Sequence, residues 1–226
     1  MATTDEQVPL PDEQVRSMDE NLGEYFFPNK MGRIIFLGLE QVMGRNGINA
    51  ILNLAWIQHR IGHYPPNNFD KELPFDEVGR LMQALEEMYG PRGGRGLARR
   101  AGWACFKLGI QDFGPMLGLA DLTFRILPLE MKMRLGFEVL AQTFNKFSDH
   151  LIRLGEDDQY FYWIMERCGA CWGRRTDSPC CHLAVGVLEE GLHWIGGGQN
   201  FYVEEVSCVA TGDQNCTIVI GKRPLE

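Results

Sequence analysis

The sequence predicts an α+β fold with a helical amino-terminal part, a small and mostly antiparallel sheet, and a hairpin at the carboxyl end. Three observations predict it. Apolar residues recur at helical spacing over much of residues 31–153. An aromatic run at residues 159–165 is typical of a strand. A Gly212-Asp213 turn separates two short apolar segments, which indicates a β-hairpin.

Length and charge limit the classes of protein that this chain can be. Its 226 residues suffice for one domain with a single core, which we assign to residues 25–226. Residues 1–24 are acidic and polar, and predict a flexible arm or an arm that contacts the partner subunit of a dimer. The net charge of −8 disfavours direct binding of nucleic acid. No apolar stretch is long enough to span a membrane and no export signal is visible, so we expect a cytoplasmic protein.

The first helices are predicted from apolar periodicity and from the glycines that interrupt it. Residues 31–43 and 48–61 predict two helices, separated by Gly44 and Gly47. Residues 75–89 predict a third helix whose acidic residues lie on its exposed side.

Glycine and proline also divide the next part of the chain. Residues 90–96 predict a hinge loop, which resembles a phosphate cradle but lacks the lysine and hydroxyl residue of one. Residues 97–153 are predicted to be mostly helical, with breaks at Gly114-Pro115 and at Pro128. The aromatic residues of this part indicate a core with room for a ligand cavity.

The last part of the chain predicts a helix followed by the hairpin. Residues 181–195 have amphipathic spacing and end at a run of three glycines. Residues 201–209 and 217–220 predict the two arms of the hairpin.

Three potential metal ligands lie on this hairpin. Cys208 and Cys216 are on its two arms, and Glu205 lies on the same arm as Cys208. Thiolates and carboxylates are side chains that bind zinc or iron, so the hairpin is predicted to be metal-bound. Cys181 is the favoured fourth ligand, because the amino terminus of a helix stabilises a thiolate. The alternatives for this fourth position are its neighbours, Cys180 and His182.

A second pair of cysteines, Cys168 and Cys171, has the two-residue spacing of many metal ligands. With Cys208 and Cys216, this pair could form an all-thiolate site for zinc or for an iron–sulfur cluster. A redox dithiol and an inert buried pair are the alternatives. Seven cysteines without an export signal favour metal or redox chemistry over disulfides.

Residues 179–191 and 203–216 resemble the carboxy-terminal signature of the 4-vinyl reductase (4VR) domain family. They contain Pro-Cys-Cys-His before two spaced glycines, and then VEEVSCVATGDQNC. This family includes hydrocarbon-binding proteins, a protein linked to bacteriochlorophyll synthesis and the aromatic-sensing domains of transcription activators. The resemblance implies a mixed fold related to TRAPP subunits and NO-signalling domains, usually dimeric. It also implies a zinc ion held by Cys181, Glu205, Cys208 and Cys216.

Two functions are compatible with these features. The first is a metal-stapled domain, a sensor or carrier, that binds an apolar, aromatic or tetrapyrrole-like molecule and forms a homodimer. The second is an enzyme or accessory factor of (bacterio)chlorophyll or tetrapyrrole metabolism, with an iron–sulfur cluster as its electron source. No dinucleotide-binding fingerprint follows a strand, so the residues favour binding over catalysis. Trp103 and Trp163 are the candidates for the lining of the pocket.

Overall fold

The computed structural model describes residues 24–117 and 126–225. The predicted arm at residues 1–24 lies outside the described residues, except for its last residue. None of the described helices combines the length and the apolar character that a membrane span requires. The described elements, in chain order, are β1 (Phe26–Pro28), α1 (Asn29–Leu54), β2 (Lys71–Pro74), α2 (Phe75–Leu117), α3 (Leu129–Phe147), β3 (Leu151–Glu156), β4 (Tyr160–Arg167), α4 (His182–Ile195), β5 (Phe201–Ser207) and β6 (Cys216–Pro224).

The strands form two antiparallel sheets. The larger has the order β3-β4-β6-β5, and the smaller pairs β1 with β2. The α+β class, the hairpin of β5 and β6, the strand β4 and the helix α4 are therefore confirmed. The small β1–β2 sheet was not predicted, because its strands have only three and four residues and carry too short a pattern to be recognised.

Helix α1 bends at Gly44, which has φ 72° and ψ 166°. The predicted break at Gly44 is thus confirmed, but Gly47 lies within helical structure. The prediction that the second helical segment reaches residue 61 is wrong, because α1 ends at Leu54. Trp56 follows with a positive φ of 59°, which is incompatible with a continuing right-handed helix.

Helix α2 bends at Gly90, where φ is 73° and ψ is 165°. The predicted hinge loop at residues 90–96 is wrong beyond Gly90, because residues 91–96 are helical and form no phosphate cradle. Pro91 explains the bend, since proline fits the first helical position and excludes the preceding residue from helical geometry. The predicted break at Gly114-Pro115 is also wrong, because α2 continues to Leu117.

We expect Gly90→Ala to destabilise the protein by about 1 to 3 kcal/mol, since a residue with a Cβ is strained in this backbone region. Gly96→Ala is the matched control, because an added Cβ there meets no atom within 4 Å and Gly96 needs no positive φ. Alanine in a helix should stabilise this control by about 0.5 to 1 kcal/mol. Urea unfolding of both variants measures the difference. Equal stability of the two variants would contradict the strained conformation of Gly90.

Residues 151–153 were predicted to end a helix but belong to β3, so that prediction is wrong. Helix α3 ends at Phe147, and the side chain of Asn145 then bonds the backbone of Ile152 in both directions, at 2.8 Å each. This pairing turns the chain back so that β3 can lie beside β4. These contacts are close in sequence, but a single pair of residues gives no periodic pattern that would have predicted the strand.

Helices α2 and α4 pack against each other through two glycines. A Cβ added to Gly102 would lie 2.7 Å from the backbone nitrogen of Val187, and one added to Gly186 would lie 2.8 Å from Arg99 Cα. Both distances are too short for a side chain. The glycines therefore set the position of α4, whose start carries Cys181.

Candidate metal centre and adjoining cavity

The cysteine cluster lies where the ends of three strands meet the start of α4. Cys168 directly follows β4, Cys208 directly follows β5, and Cys216 begins β6. Because these strands are antiparallel neighbours, the end of β4 lies beside the start of β6, and Met165 pairs with Cys216. Cys181 precedes α4. All seven cysteines of the chain are buried free thiols.

Among the described residues there are two sets of four potential metal ligands, and within each set the ligand atoms lie within 4.8 Å of one another. The set that we name the mixed set is Cys181, Glu205, Cys208 and Cys216. The set that we name the all-sulfur set is Cys168, Cys171, Cys181 and Cys216.

The sulfur–sulfur distances match the geometry of single-ion sites. In the mixed set the Sγ of Cys208 lies 3.8 Å from those of Cys181 and Cys216, which are 3.6 Å apart. Sulfurs that share one zinc ion lie about 3.8 Å apart, since a Zn–S bond is about 2.3 Å long and zinc is tetrahedral. In a [4Fe–4S] cluster each thiolate binds a different iron, which places the sulfurs further apart. The distances therefore favour single ions.

Glu205 supplies an unsatisfied oxygen to the site. Its Oε2 accepts a hydrogen bond of 2.7 Å from the backbone N–H of Cys181, while its buried Oε1 has no partner. Burial raises the pKa of this carboxyl to about 9. A buried carboxyl oxygen without a hydrogen-bond partner is costly in a protein interior. A metal ion would remove that cost.

The thiols differ in their affinity for protons. A hydrogen bond from the Cys171 thiol lowers the pKa of Cys168 and of Cys208. Hydrogen bonds that involve Cys168 raise the pKa values of the other three thiols of the two sets, which are Cys171, Cys181 and Cys216. The backbone N–H of Val209 also donates to Cys216 Sγ, at 3.3 Å. A divalent cation in the site would supply positive charge that stabilises the thiols of the two sets as thiolate anions.

The sequence left three candidates for the fourth ligand, and of these Cys181 is the one that belongs to both sets. Neither set includes Cys180 or His182. The Cys180 sulfur lies 3.9 Å from Cys208 Sγ, and burial lowers the pKa of His182 to about 4. For the second cysteine pair, Cys168 and Cys171, the sequence had suggested a site shared with Cys208 and Cys216. Instead, Cys181 takes the place of Cys208 in the all-sulfur set, since the residues after β4 face the start of α4.

An apolar cavity of about 150 Å³ adjoins the cluster. Side chains of all four helices and of β3 and β4 line it, and Cys168 forms part of its wall. Three of its few polar groups are already bonded: the Thr143 hydroxyl donates to Val139 O, and the His150 ring contacts Ser148 and Gly169. Burial lowers the pKa of His150 to about 4, so this ring is neutral. Apart from the Cys168 thiol, the described part of the cavity wall therefore presents no charged group.

Trp163 lines this cavity, as expected, but Trp103 does not. Trp103 is 39% exposed and its indole N–H donates to Glu189 at 3.0 Å. Trp103 was predicted to line the pocket because of its aromatic ring. The face of α2 that carries it instead contacts α4 at the surface. The wall residues His150 and Thr143 were missed, because isolated polar residues beside a helix end give no recognisable pattern.

Sequence comparison finds no matching protein family and no matching curated protein. Solved structures of H-NOX proteins share the fold. An Fe(II) unliganded H-NOX protein from K. algicida is 14% identical, with a TM-score of 0.55 over 86% of this chain and 97% of that chain. One from S. oneidensis in the Fe(II)NO ligation state is 14% identical, with a TM-score of 0.54 over 86% and 99%. A third, from work on heme distortion in the H-NOX family, is 15% identical, with a TM-score of 0.54 over 88% and 97%. By architecture, the chain has the H-NOX fold, in agreement with the predicted NO-signalling fold.

Proposed function

We propose that this chain is a small-molecule-binding domain, a sensor or carrier. A zinc ion in the mixed set would stabilise the part of the fold that adjoins the ligand cavity. The observation that carries the proposal is the position of Cys168. This residue is part of the cavity wall, and its sulfur lies 3.4 Å from the sulfur of Cys181. A ligand in the cavity would therefore press on a residue that contacts the metal centre, and each site could report on the other.

Haem, which the names of some of the similar H-NOX structures mention, would lack an axial ligand among the described wall residues of this cavity. His150, the histidine among the described wall residues, has both ring nitrogens in hydrogen bonds, to Ser148 Oγ and from the Gly169 N–H. The wall residue Cys105 donates to Ile34 O, and burial raises its pKa to about 12, which disfavours an iron-binding thiolate.

The size and chemistry of the cavity favour a single aromatic ring. An apolar cavity of about 150 Å³ in a protein core stays dry and binds molecules the size of benzene. The wall presents the rings of Phe106, Phe113, Phe144 and Trp163, which favour stacked or edge-on contacts with an aromatic guest. We therefore propose benzene, toluene or phenol as the type of ligand.

Thermal unfolding with and without these three compounds tests the proposal. At a ligand concentration of about 100 times Kd, binding should stabilise the protein by about 2.7 kcal/mol. For a domain of this size, that corresponds to a rise of the melting temperature of about 5 to 11 °C. No rise with any of the three compounds would overturn the proposed ligand class.

Gly109→Leu should abolish half or more of that rise by filling the cavity. Gly109 lines the cavity, and an added Cβ there meets no atom within 4 Å, so a larger side chain can enter without a clash at the backbone. We expect Kd to increase at least about tenfold, equivalent to 1.4 kcal/mol. The matched control is Gly96→Leu, at an exposed glycine of the same helix with the same free space, which does not line the cavity. Equal binding by both variants would place the ligand elsewhere.

We also propose that the chain is a divergent relative of the 4VR domain family. The support is the mixed set, since its four residues are those that the resemblance implies as zinc ligands and their ligand atoms lie within 4.8 Å of one another. The homodimer and the cytoplasmic location remain predictions from the sequence.

A further inference from the structure

The all-sulfur set and the mixed set overlap in two residues, Cys181 and Cys216. Each set alone has the four ligands that a closed structural metal site requires. A single ion in the mixed set would leave Cys168 and Cys171 without a metal, although both are buried and their sulfurs lie in contact with the shared ones. Cys168 Sγ lies 3.4 Å from Cys181 Sγ, and Cys171 Sγ lies 3.4 Å from Cys216 Sγ.

A thiolate sulfur keeps lone pairs after it binds one metal ion, so it can bind a second. Two tetrahedral ions that share an edge need two such bridging sulfurs, with two further ligands on either side. The cluster supplies the ligands that this arrangement requires: Cys181 and Cys216 are shared, Cys168 and Cys171 belong to one set only, and Glu205 and Cys208 belong to the other only. The shared sulfurs of Cys181 and Cys216 are 3.6 Å apart, close to the edge of about 3.8 Å that a thiolate tetrahedron around zinc has.

The charge of the cluster is compatible with two ions. Four anionic ligands around one divalent ion leave two negative charges, and six anionic ligands around two divalent ions leave the same two. A second ion therefore adds no uncompensated charge to the interior. The buried guanidinium of Arg174 lies beside the cluster and donates to the carbonyl oxygen of Cys180 at 3.4 Å. The same guanidinium also pairs with a carboxylate oxygen of Glu86 at 2.7 Å, so its charge is shared between Glu86 and the cluster.

We propose that the cluster binds two divalent metal ions, one in each set, with the sulfurs of Cys181 and Cys216 bridging them. The inference rests on the proposed function for the ion of the mixed set and adds a second, four-thiolate site. Binding of both ions releases the protons that the six ligand groups carry. Since Cys168 also lines the cavity, the second ion would be the one next to the ligand.

Titration of the metal-free full chain with Co²⁺ under reducing, anaerobic conditions tests the proposal. The absorption from sulfur-to-cobalt charge transfer should rise until two equivalents are bound. The paramagnetic resonance signal of cobalt should grow up to one equivalent and then fall, because bridging sulfurs couple the spins of two neighbouring ions. Zinc content after reconstitution should be two ions per chain. A spectrum of ¹¹³Cd bound to the chain should show two resonances, the one for four sulfurs distinct from the one for three sulfurs and an oxygen.

Variants separate the two ions. Cys168→Ser/Cys171→Ser should lower zinc content from two ions to one, held in the mixed set. Glu205→Gln/Cys208→Ser should also lower it to one, held in the all-sulfur set. Cys105→Ser is the matched control, a buried cysteine outside both sets, and should keep two ions. Circular dichroism confirms that each variant is folded, and the titration of the unmodified chain is independent of them.

One equivalent in the unmodified chain, retained by Cys168→Ser/Cys171→Ser, would overturn the second ion and leave the proposed function intact. One equivalent retained only by Glu205→Gln/Cys208→Ser would overturn both the second ion and the assignment of the first to the mixed set. No bound metal in the unmodified chain would overturn the metal part of both proposals.

Discussion

Cys216→Ala is expected to abolish metal binding and to lower the melting temperature by at least about 10 °C, at about 2 to 4 °C per kcal/mol for a domain of this size. Cys216 belongs to both ligand sets, so no complete set survives its removal. A structural zinc ion contributes about 10 to 16 kcal/mol of apparent binding free energy, which is comparable to the net stability of a whole domain. Elemental analysis of anaerobically purified protein and thermal unfolding measure the two effects.

Cys105→Ala is the control for this prediction, since it makes the same change at a buried cysteine outside both sets. It should keep the full metal content and lose about 1 kcal/mol, the contribution of a small buried group. At about 2 to 4 °C per kcal/mol, this control should melt about 2 to 4 °C below the unmodified protein. If Cys216→Ala keeps its metal and melts within that same range, the cluster does not bind a structural metal ion.

Gly186→Ala is expected to lower the stability of the protein by about 3 kcal/mol or more, the upper end of the range for overpacking. The added Cβ would lie 2.8 Å from both the Cα and the carbonyl carbon of Arg99. These are backbone atoms of α2 and cannot rotate away, so α4 has to move. Because Cys181 directly precedes α4, metal affinity should fall together with stability. Urea unfolding and a competitive zinc titration measure the two effects.

Gly191→Ala makes the same substitution on the same helix at a more tolerant position. Its Cβ would lie 3.1 Å from the edge of the Phe106 ring, a side chain that can shift by a few tenths of an ångström. The better helix propensity of alanine, worth about 0.8 to 1 kcal/mol, should offset most of that cost. If the two variants have the same stability and the same zinc affinity, the close contact of α2 and α4 does not position the metal centre.

The most local signals were read correctly. The hairpin follows from the Gly212-Asp213 turn, and α4 follows from its amphipathic spacing and its glycine stop, because adjacent residues decide both. The glycine-rich residues 91–96 were wrongly predicted to form a loop. Glycine permits a turn without requiring one, and Pro91 places the whole bend at Gly90.

The sequence by itself determined which side chains could ligate a metal and that Glu205, Cys208 and Cys216 lie on one hairpin, because these relations are local. Only the tertiary structure decided that Cys181 is shared by two ligand sets and that Cys168 is also part of a cavity wall. Both facts depend on how β4, β6 and α4 meet. That arrangement is set by strand pairing and by the contact of Gly102 and Gly186 between helices, over separations at which a linear pattern of residues carries no signal.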